Sequence, residues 1–473
     1  MSTFGGLNTA YRGLTAAQQA INLAGQNIAN ASTPGYTRQR IEQSAIGASL
    51  PVGLNPGIGE AGQGVSVDGI VRLGSSFLDA GVRNTAAASG YAGIRSTELQ
   101  RLEDGLQEPG PHGLSTALQT FWASWQGVAN HPGESAPASV LLEAAATLTE
   151  TVSAGYKALD AQWSRGRGEA AATVVELNAA AGRVANLNSR IRSTLAAGGS
   201  ANELIDARNQ LTESIASMAG GTVRENADGT ADVFIGGNAL VSGTSARQLT
   251  LAGPTSLGGG AQPVQLEWAD RPGAAVNLDG GELAGAVSLL APANGSGTGG
   301  AIAQAADAYN AFATQLMNDV NAIHRTGQTT AGTSNLDFFT SSPGVPVALS
   351  LKVVPGNAAG IATGAAGAGA LDGSVADKLS LIGSSSSSPD VFWSGVVSGI
   401  GMASRSAQQH AQLADAAGVA AAGQRNSGAG VSLDEENISL LAGQHAYQAA
   451  ARVMTAIDEA LDVLINRTGL VGR

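Results

Sequence analysis

The N-terminal stretch from Leu7 to Tyr36 constrains this chain more than any other segment. Large aliphatic residues recur every seven positions at Leu7, Leu14, Ile21 and Ile28. An alanine follows each of them by three, at Ala10, Ala17, Ala24 and Ala31. This is the a/d pattern of a helix that lies along another helix, and small d residues let the two backbones approach closely. Arg12 is the only charged side chain between Met1 and Tyr36. The rest of the surface carries Asn8, Gln18, Gln19, Asn22, Gln26, Asn27 and Asn30, where a solvated helix face is ordinarily rich in Glu and Lys. Neutral amides can hydrogen-bond to neighbouring chains without the cost of burying charge. The helix is expected to stop at Ser32-Thr33-Pro34-Gly35-Tyr36. Pro34 steers Thr33 out of the helical region, and Pro-Gly favours a tight turn.

A helix of this kind is marginal in water by itself, so the chain must supply a partner. The opposite end offers one. Ser432 and Glu435 have capping-box spacing, and Asp434, Glu435 and Glu436 sit where a helix dipole favours acids. Behind them Ile438, Ala442, Ala446, Ala450, Val453, Ile457, Leu461 and Leu464 read as a second alanine-rich seam. The expectation is that the two termini pair, with the chain leaving through a helical body, making a β excursion and returning.

Between the termini, residues 47–64 read as a Gly/Pro loop and 65–70 as a strand of period two. Helices are predicted over about 76–106, 114–128, 137–196, 202–218, 301–324 and 389–425. Residues 222–224 and 232–235 form a predicted hairpin around Asp228-Gly229, with further strands near 240–241, 248–251, 264–268 and 275–278. Another strand is expected at 345–354. The fold class is α+β multidomain: terminal helices paired as a coiled coil, a helical-bundle middle domain, and an inserted small β-rich domain. The expected divisions are 1–45 with 430–473 for the coil, 46–215 with 296–429 for the helical body, and 216–295 for the β-rich outer domain.

Composition narrows the chemistry. The net charge is −12 and the only lysines are Lys157, Lys352 and Lys378, so no basic stripe is available for nucleic acid or anionic lipid. Cysteines are absent, which excludes disulfides and thiolate-bound zinc. No apolar run is long enough to cross a membrane, and the N-terminus lacks the features of a secretory signal peptide. The histidines His112, His131, His324, His410 and His445 are scattered without metal-ligand spacing. Two G-x-G-x-x-G matches, at Gly57 and Gly295, lack the strand–turn–helix context of a dinucleotide site in a chain of 65 glycines. Phe121, Trp122 and Trp125, at helical spacing, read as core. No catalytic, cofactor or metal site is expected, and the chain is read as a non-enzyme.

The motif Asn27-Ile28-Ala29-Asn30, followed by Thr33-Pro34-Gly35-Tyr36, resembles the N-terminal signature of bacterial flagellar rod, hook and hook-associated proteins. Its continuation Thr37-Arg38-Gln39 is similar to that of the junction proteins between hook and filament. Hook proteins usually carry phenylalanine in place of Tyr36. The likeness continues in Gly62-Gln63-Gly64-Val65 with Ile70 and Arg72, in Leu204–Leu211, and in Gly430-Val431-Ser432-Leu433-Asp434-Glu435-Glu436. It departs at Ser139, where the family often has arginine, and at Asn209, where it has aspartate. The resemblance implies an extracellular structural protein of the flagellum that joins hook to filament by self-assembly, with the terminal helices as an inner tube. It implies export without signal-peptide cleavage and a chaperone bound to the C-terminal helix beforehand. The implied neighbours are further copies, the hook protein and a second junction protein, with no nucleic acid or membrane partner. The implied assembly interface combines Leu7, Leu14, Ile21, Ile28, Asn27, Asn30 and Thr33–Gln39 with Ile438, Ala446, Val453, Ile457, Leu461 and Leu464. A hook or distal-rod protein, or an adhesin on the same scaffold, is the alternative.

Overall fold

A computed structural model describes residues 3–47, 62–259 and 262–467. Most of the expected 47–64 loop and the last residues of the expected coil domain therefore lie outside the described residues. Helix α1 (Thr3–Ala29) leads into an antiparallel pair, β1 (Gln39–Ala45) with β2 (Val65–Arg72), bulged between Glu42 and Gln43. Four helices follow: α2 (Ser76–Leu106), α3 (Leu114–Asn130), α4 (Ser135–Ala196) and α5 (Asn202–Ala219). Ser75 caps α2 by accepting from Leu78 N, and Gln107 ends it in the left-handed region at φ 54°.

Helix α4 is 62 residues long and organises the body. One stripe, including Leu141, Leu148, Val152, Leu159, Trp163, Val174, Leu177, Val184 and Ile191, is buried along its whole length. Gly166 does not interrupt it; Leu290 packs there, its Cδ2 3.7 Å from where a Cβ would stand, an ordinary contact.

The β segment comprises β3 (Thr222–Glu225), β4 (Ala231–Ile235), β5 (Asn238–Ser242) and β6 (Ser245–Ala246) in one sheet. A second sheet holds β7 (Leu249–Ala252), β8 (Gln265–Trp268) and β9 (Arg271–Ala275). The expected strand at 275–278 thus lies earlier, at Arg271–Ala275. The β segment packs on the helical body. Val233, Ile235, Leu240, Val241, Leu249, Leu266 and Trp268 belong to the same continuous core as α4. Two asparagines of α4 join the sheets to it. Asn188 Nδ2 donates to Ala231 O (2.7 Å) and its Oδ1 accepts from Ala231 N (3.0 Å). Asn178 does the same for Leu249, at 2.9 Å each way. Each carboxamide offers the donor and acceptor that a neighbouring strand would supply.

Residues 216–295 also contain an unforeseen helix, α6 (Gly281–Leu290), packed on α2. Helix α7 (Ala301–His324) follows as expected. The strand expected at 345–354 is instead a helical turn, α8 (Val347–Ser350), and a two-residue strand, Lys352–Val353, paired with Phe339–Thr340. Pro346 starts that turn, its carbonyl accepting from Ser350 N. Helix α9 (Ser374–Ser380) packs on α3. Helix α10 (Pro389–Ala429), capped by Ser388 with Pro389 in its first turn, runs back along α2, and α11 (Leu433–Asp462) closes the chain.

Aromatic residues are scarce but gathered: Phe121, Trp125, Phe338 and Phe339 are fully buried together. His324 is enclosed with them. Its Nδ1 lies 2.7 Å from Leu336 O, and its Nε2 accepts from Ala362 N at 2.9 Å. The ring is therefore neutral with the proton on Nδ1, and burial pushes its pKa below the ordinary 6.5. Below that pH the unfolded chain binds a proton that the folded chain refuses, so stability falls as pH drops, by at most about 1.4 kcal/mol per pH unit. Urea midpoints at about pH 7.5 and about 5.5 should diverge more for the parent protein than for His324→Gln.

Candidate assembly site at the root of the terminal coil

Helices α1 and α11 pack antiparallel. A Cβ placed on Gly6 would stand 3.2 Å from Ile457 Cδ1, one on Gly13 3.8 Å from Ala450 Cβ, and one on Gly443 3.0 Å from Ile21 Cγ1. At the next step Asn27 Nδ2 donates to Glu436 Oε2 at 3.0 Å. On α11 these contacts recur every seven residues, at 457, 450, 443 and 436; on α1 they fall at Gly6, Gly13, the Ala17–Ile21 turn and Asn27. The close seam of α1 is therefore Gly6, Ala10, Gly13, Ala17, Ala24 and Asn27, with Ala10, Ala17, Ala24 and Asn27 buried. On α11 the inward residues are Glu436, Leu440, Gly443, Ala450, Met454, Ile457 and Leu461.

Not all of the residues expected in the α1–α11 seam face the partner helix. Leu7, Leu14 and Ile28 flank the seam and are half-buried, as is Ile21, which packs on Gly443. Ile457 and Leu461 do face α1, but Ile438 is 68% exposed, Val453 51% and Leu464 57%, and Ala446 is exposed too. The reason is helical phase. Steps of four from 438 to 450 advance about 40° each around a helix, so that reading drifts off the contact line. Steps of three and four through Glu436, Leu440 and Gly443 stay on it.

Asn27 and Glu436 begin a polar joint between coil and body. Asn27 is 1% exposed, donates also to Gln39 O (2.9 Å), and accepts from Tyr36 Oη (2.8 Å) and Gln39 N (3.1 Å). Glu436, 2% exposed, accepts from Arg38 Nε at 2.6 Å, while Arg38 Nη1 reaches Glu435 at 2.5 Å. Arg38 N bonds to Ala429 O (2.8 Å), so the two chain crossings are tied directly. The start of α5 completes the joint. Asp206 accepts from Thr37 N (3.0 Å) and Arg72 Nε (2.7 Å), and Glu203 accepts from Gln26 (2.9 Å) and Gln39 (3.1 Å). Asn202 bonds to the Gln39 side chain and to Ile70 O.

The turn itself is shaped by Gly35, at φ 75°. Asn30 donates back to Gln26 O (3.0 Å) and accepts from Thr33 Oγ1 (3.2 Å), while the Pro34 carbonyl accepts from Gln210 Nε2. Burial pushes the Tyr36 phenol up to about 12, helped by the negative fields of Glu203, Asp206 and Glu436. Among the described residues no cluster of His, Cys, Asp and Glu could hold a metal, and no helix is long and apolar enough to cross a membrane.

Three family models match this chain. "Flagella basal body rod protein" covers residues 7–37, "Flagellar hook-associated protein FlgK helical domain" covers 99–339, and "Flagellar basal body rod FlgEFG protein C-terminal" covers 422–467. The flagellar hook-associated protein 1 of Bacillus subtilis is 30% identical over 513 residues, covering 100% of both chains. The chain belongs to the flagellar hook-associated protein 1 family. It is a structural protein of the hook–filament junction of the flagellum. The hook-associated protein 1 of Salmonella typhimurium is 30% identical over 354 residues, 73% of this chain and 60% of that relative. A hook-associated protein of known structure, the flagellar hook junction protein FlgK from Burkholderia pseudomallei, shares the fold, with TM-score 0.63 and 14% identity over 76% of this chain and 100% of that one.

In this hook-associated chain the two terminal family models meet at the polar joint: Asn27, Tyr36 and Thr37 come from one, Glu435 and Glu436 from the other. Both glutamates are legible as helix-start charges, and the burial of Glu436 is not. Asp206 and Glu203 were also missed as joint residues. Their signal is a pair of acids three residues apart at a helix start, on the face that meets the backbone of 37–39.

Arg38→Ala leaves the Glu436 charge buried with Asn27 alone and should cost roughly 3 kcal/mol locally, read as faster amide exchange at Gln39 and in the first turn of α11. Tyr36 gives an alkaline signature. Its folded-state pKa is raised, so its contribution is intact below pH 10.0 and lost as pH rises toward about 12. In Tyr36→Phe that part of the alkaline melting profile should vanish.

Proposed function

We propose that this protein builds the hook–filament junction by self-assembly through the outer face of its terminal coil. The observation that carries this reading is the apolar surface left on the paired helices. Ile438, Leu441, Val453 and Leu464 on α11, and Phe4 and Tyr11 on α1, are exposed beside the half-buried heptad aliphatics. Such a stripe is stable in water only when covered. The exposed Asn8, Gln18, Gln19 and Asn22 beside it are uncharged, so neighbouring copies can close on it without like-charge repulsion.

In this reading the coil forms the inner tube, and the hook protein and a second junction protein are the neighbours at its two ends. The chain acts outside the cell as a structural element, not an enzyme, and needs no cofactor. It is exported without cleavage, with a chaperone shielding the apolar face of α11 beforehand. The coil, body and β-bearing layer divide the chain at about residues 45, 215, 296 and 430.

Placing a carboxylate on the stripe tests the proposal. Ile438→Asp and Val453→Asp leave the α1–α11 seam untouched, so the subunit should keep its helix content. Incorporation into flagella should fall at least roughly tenfold, since desolvating one unpaired charge costs several kcal/mol. Deleting the gene should leave hooks without filaments and release flagellin into the medium. Normal incorporation of both variants, or loss of the hooks themselves, would overturn the reading.

A further inference from the structure

The α1–α11 seam poses a register problem. Each rung has a glycine on one side: Gly6 against Ile457, Gly13 against Ala450, and Gly443 against Ile21 and the Ala17 carbonyl. A glycine accepts a small or a larger residue opposite, so a slip of one heptad, which sets Gly13 against Ile457 or Gly443, meets little steric opposition. One rung is different. Asn27 and Glu436 are buried, and each satisfies the other.

We propose that the Asn27–Glu436 rung is the register-determining pair of the terminal coil. A slip of one heptad in one direction carries Glu436 to the level of Ala20, taking its carboxylate away from both Asn27 and Arg38. The opposite slip carries Asn27 to Gly443 and leaves its carboxamide without the carboxylate. Either error strands a buried polar group, so the rung acts more against the wrong alignments than for the right one. The same atoms fix where the coil begins relative to the body. Asn27 holds Tyr36 and the Gln39 backbone, and Glu436 holds Arg38. The coil's register thereby decides which exposed residues of α1 and α11 stand at one level.

Because the chain has no cysteine, introduced pairs report on register directly. Gly13→Cys with Ala450→Cys is the in-register pair: the 3.8 Å from a Cβ on Gly13 to Ala450 Cβ suits a disulfide. Gly13→Cys with Gly443→Cys, and Gly13→Cys with Ile457→Cys, report the two slips, each about 10 Å away along the helix. In the otherwise unchanged full-length protein only the first pair should oxidise. With Asn27→Leu and Glu436→Leu together, the slipped pairs should gain at least roughly tenfold in yield relative to the in-register pair. Glu436→Ala alone, which leaves Asn27 on the Gln39 backbone, is the second variant and should also slip. Glu436→Gln, whose amide oxygen still accepts from Asn27, should restore in-register oxidation alone. Slipped disulfides in the parent protein would overturn the proposal. So would an unchanged pattern in both Leu/Leu and Glu436→Ala, which would give the register to the Arg38–Ala429 tie instead.

Discussion

The carboxylate of Glu436 is buried where two chain termini and the body meet, and the rest of the molecule is arranged so that it can be. A charge taken out of water is stable only with its hydrogen bonds made, and Glu436 has Asn27 on one oxygen and Arg38 on the other. Each partner is held in turn: Asn27 by Gln39 and Tyr36, Arg38 through its backbone by Ala429. Small-residue helix seams set a distance between helices but no longitudinal position. Directional bonds to a buried carboxylate set the position, so the two kinds of contact are complementary.

The same division runs through the body. Charged residues are only 13% of the chain, yet many of them sit at contacts between elements. Arg72 bonds to Asp206, Arg208 to Glu225 and Arg425 to Glu213, so α5 is tied in turn to β2, β3 and α10. Burial lowers the pKa of Arg208 and raises that of Asp79, the latter offset by Arg72, Arg83 and Arg425. Where strands must be held, neutral amides do it. Asn321 of α7 receives Phe338 N and Phe339 N at 2.9 Å each and donates to Phe339 O, as Asn188 and Asn178 do on α4. Sheets of two to four short strands have few neighbours, and a helix-borne carboxamide satisfies a strand's backbone groups in place of another strand.

Helix extents were legible because their signals are local. Ser75, Ser388 and Ser432 mark starts, Pro-Gly breaks mark ends, and Ala301–His324 is one uninterrupted periodic run. The phase of α11 was not, because alanine is abundant enough to support more than one stripe, and only Gly443 and the buried Glu436 choose between them. How the β segment attaches to the body is not legible for a related reason. Strand patterning shows which residues face a core but not whose core it is, and the anchors are Asn178 and Asn188, polar residues within a helical run. Glu203 and Asp206 escaped notice because an acid at a helix start already has a sufficient local explanation.

That local sufficiency bears on how the coil and the joint divide their work. The joint's charges are satisfied within one chain, so covering the coil's outer face need not break them. The outer face has the opposite character: apolar at Ile438, Leu441 and Val453, neutral at Asn8, Gln18, Gln19 and Asn22. A subunit of net charge −12 would repel its copies if its charges lay on the surface that packs. Placing amides and aliphatics at these positions, and confining Glu436 and Asp206 to a joint where Arg38 and Arg72 neutralise them, lets a chain that is acidic as a whole, and that exposes Asp434, Asp458, Glu459 and Asp462 on α11 itself, still offer uncharged positions for packing.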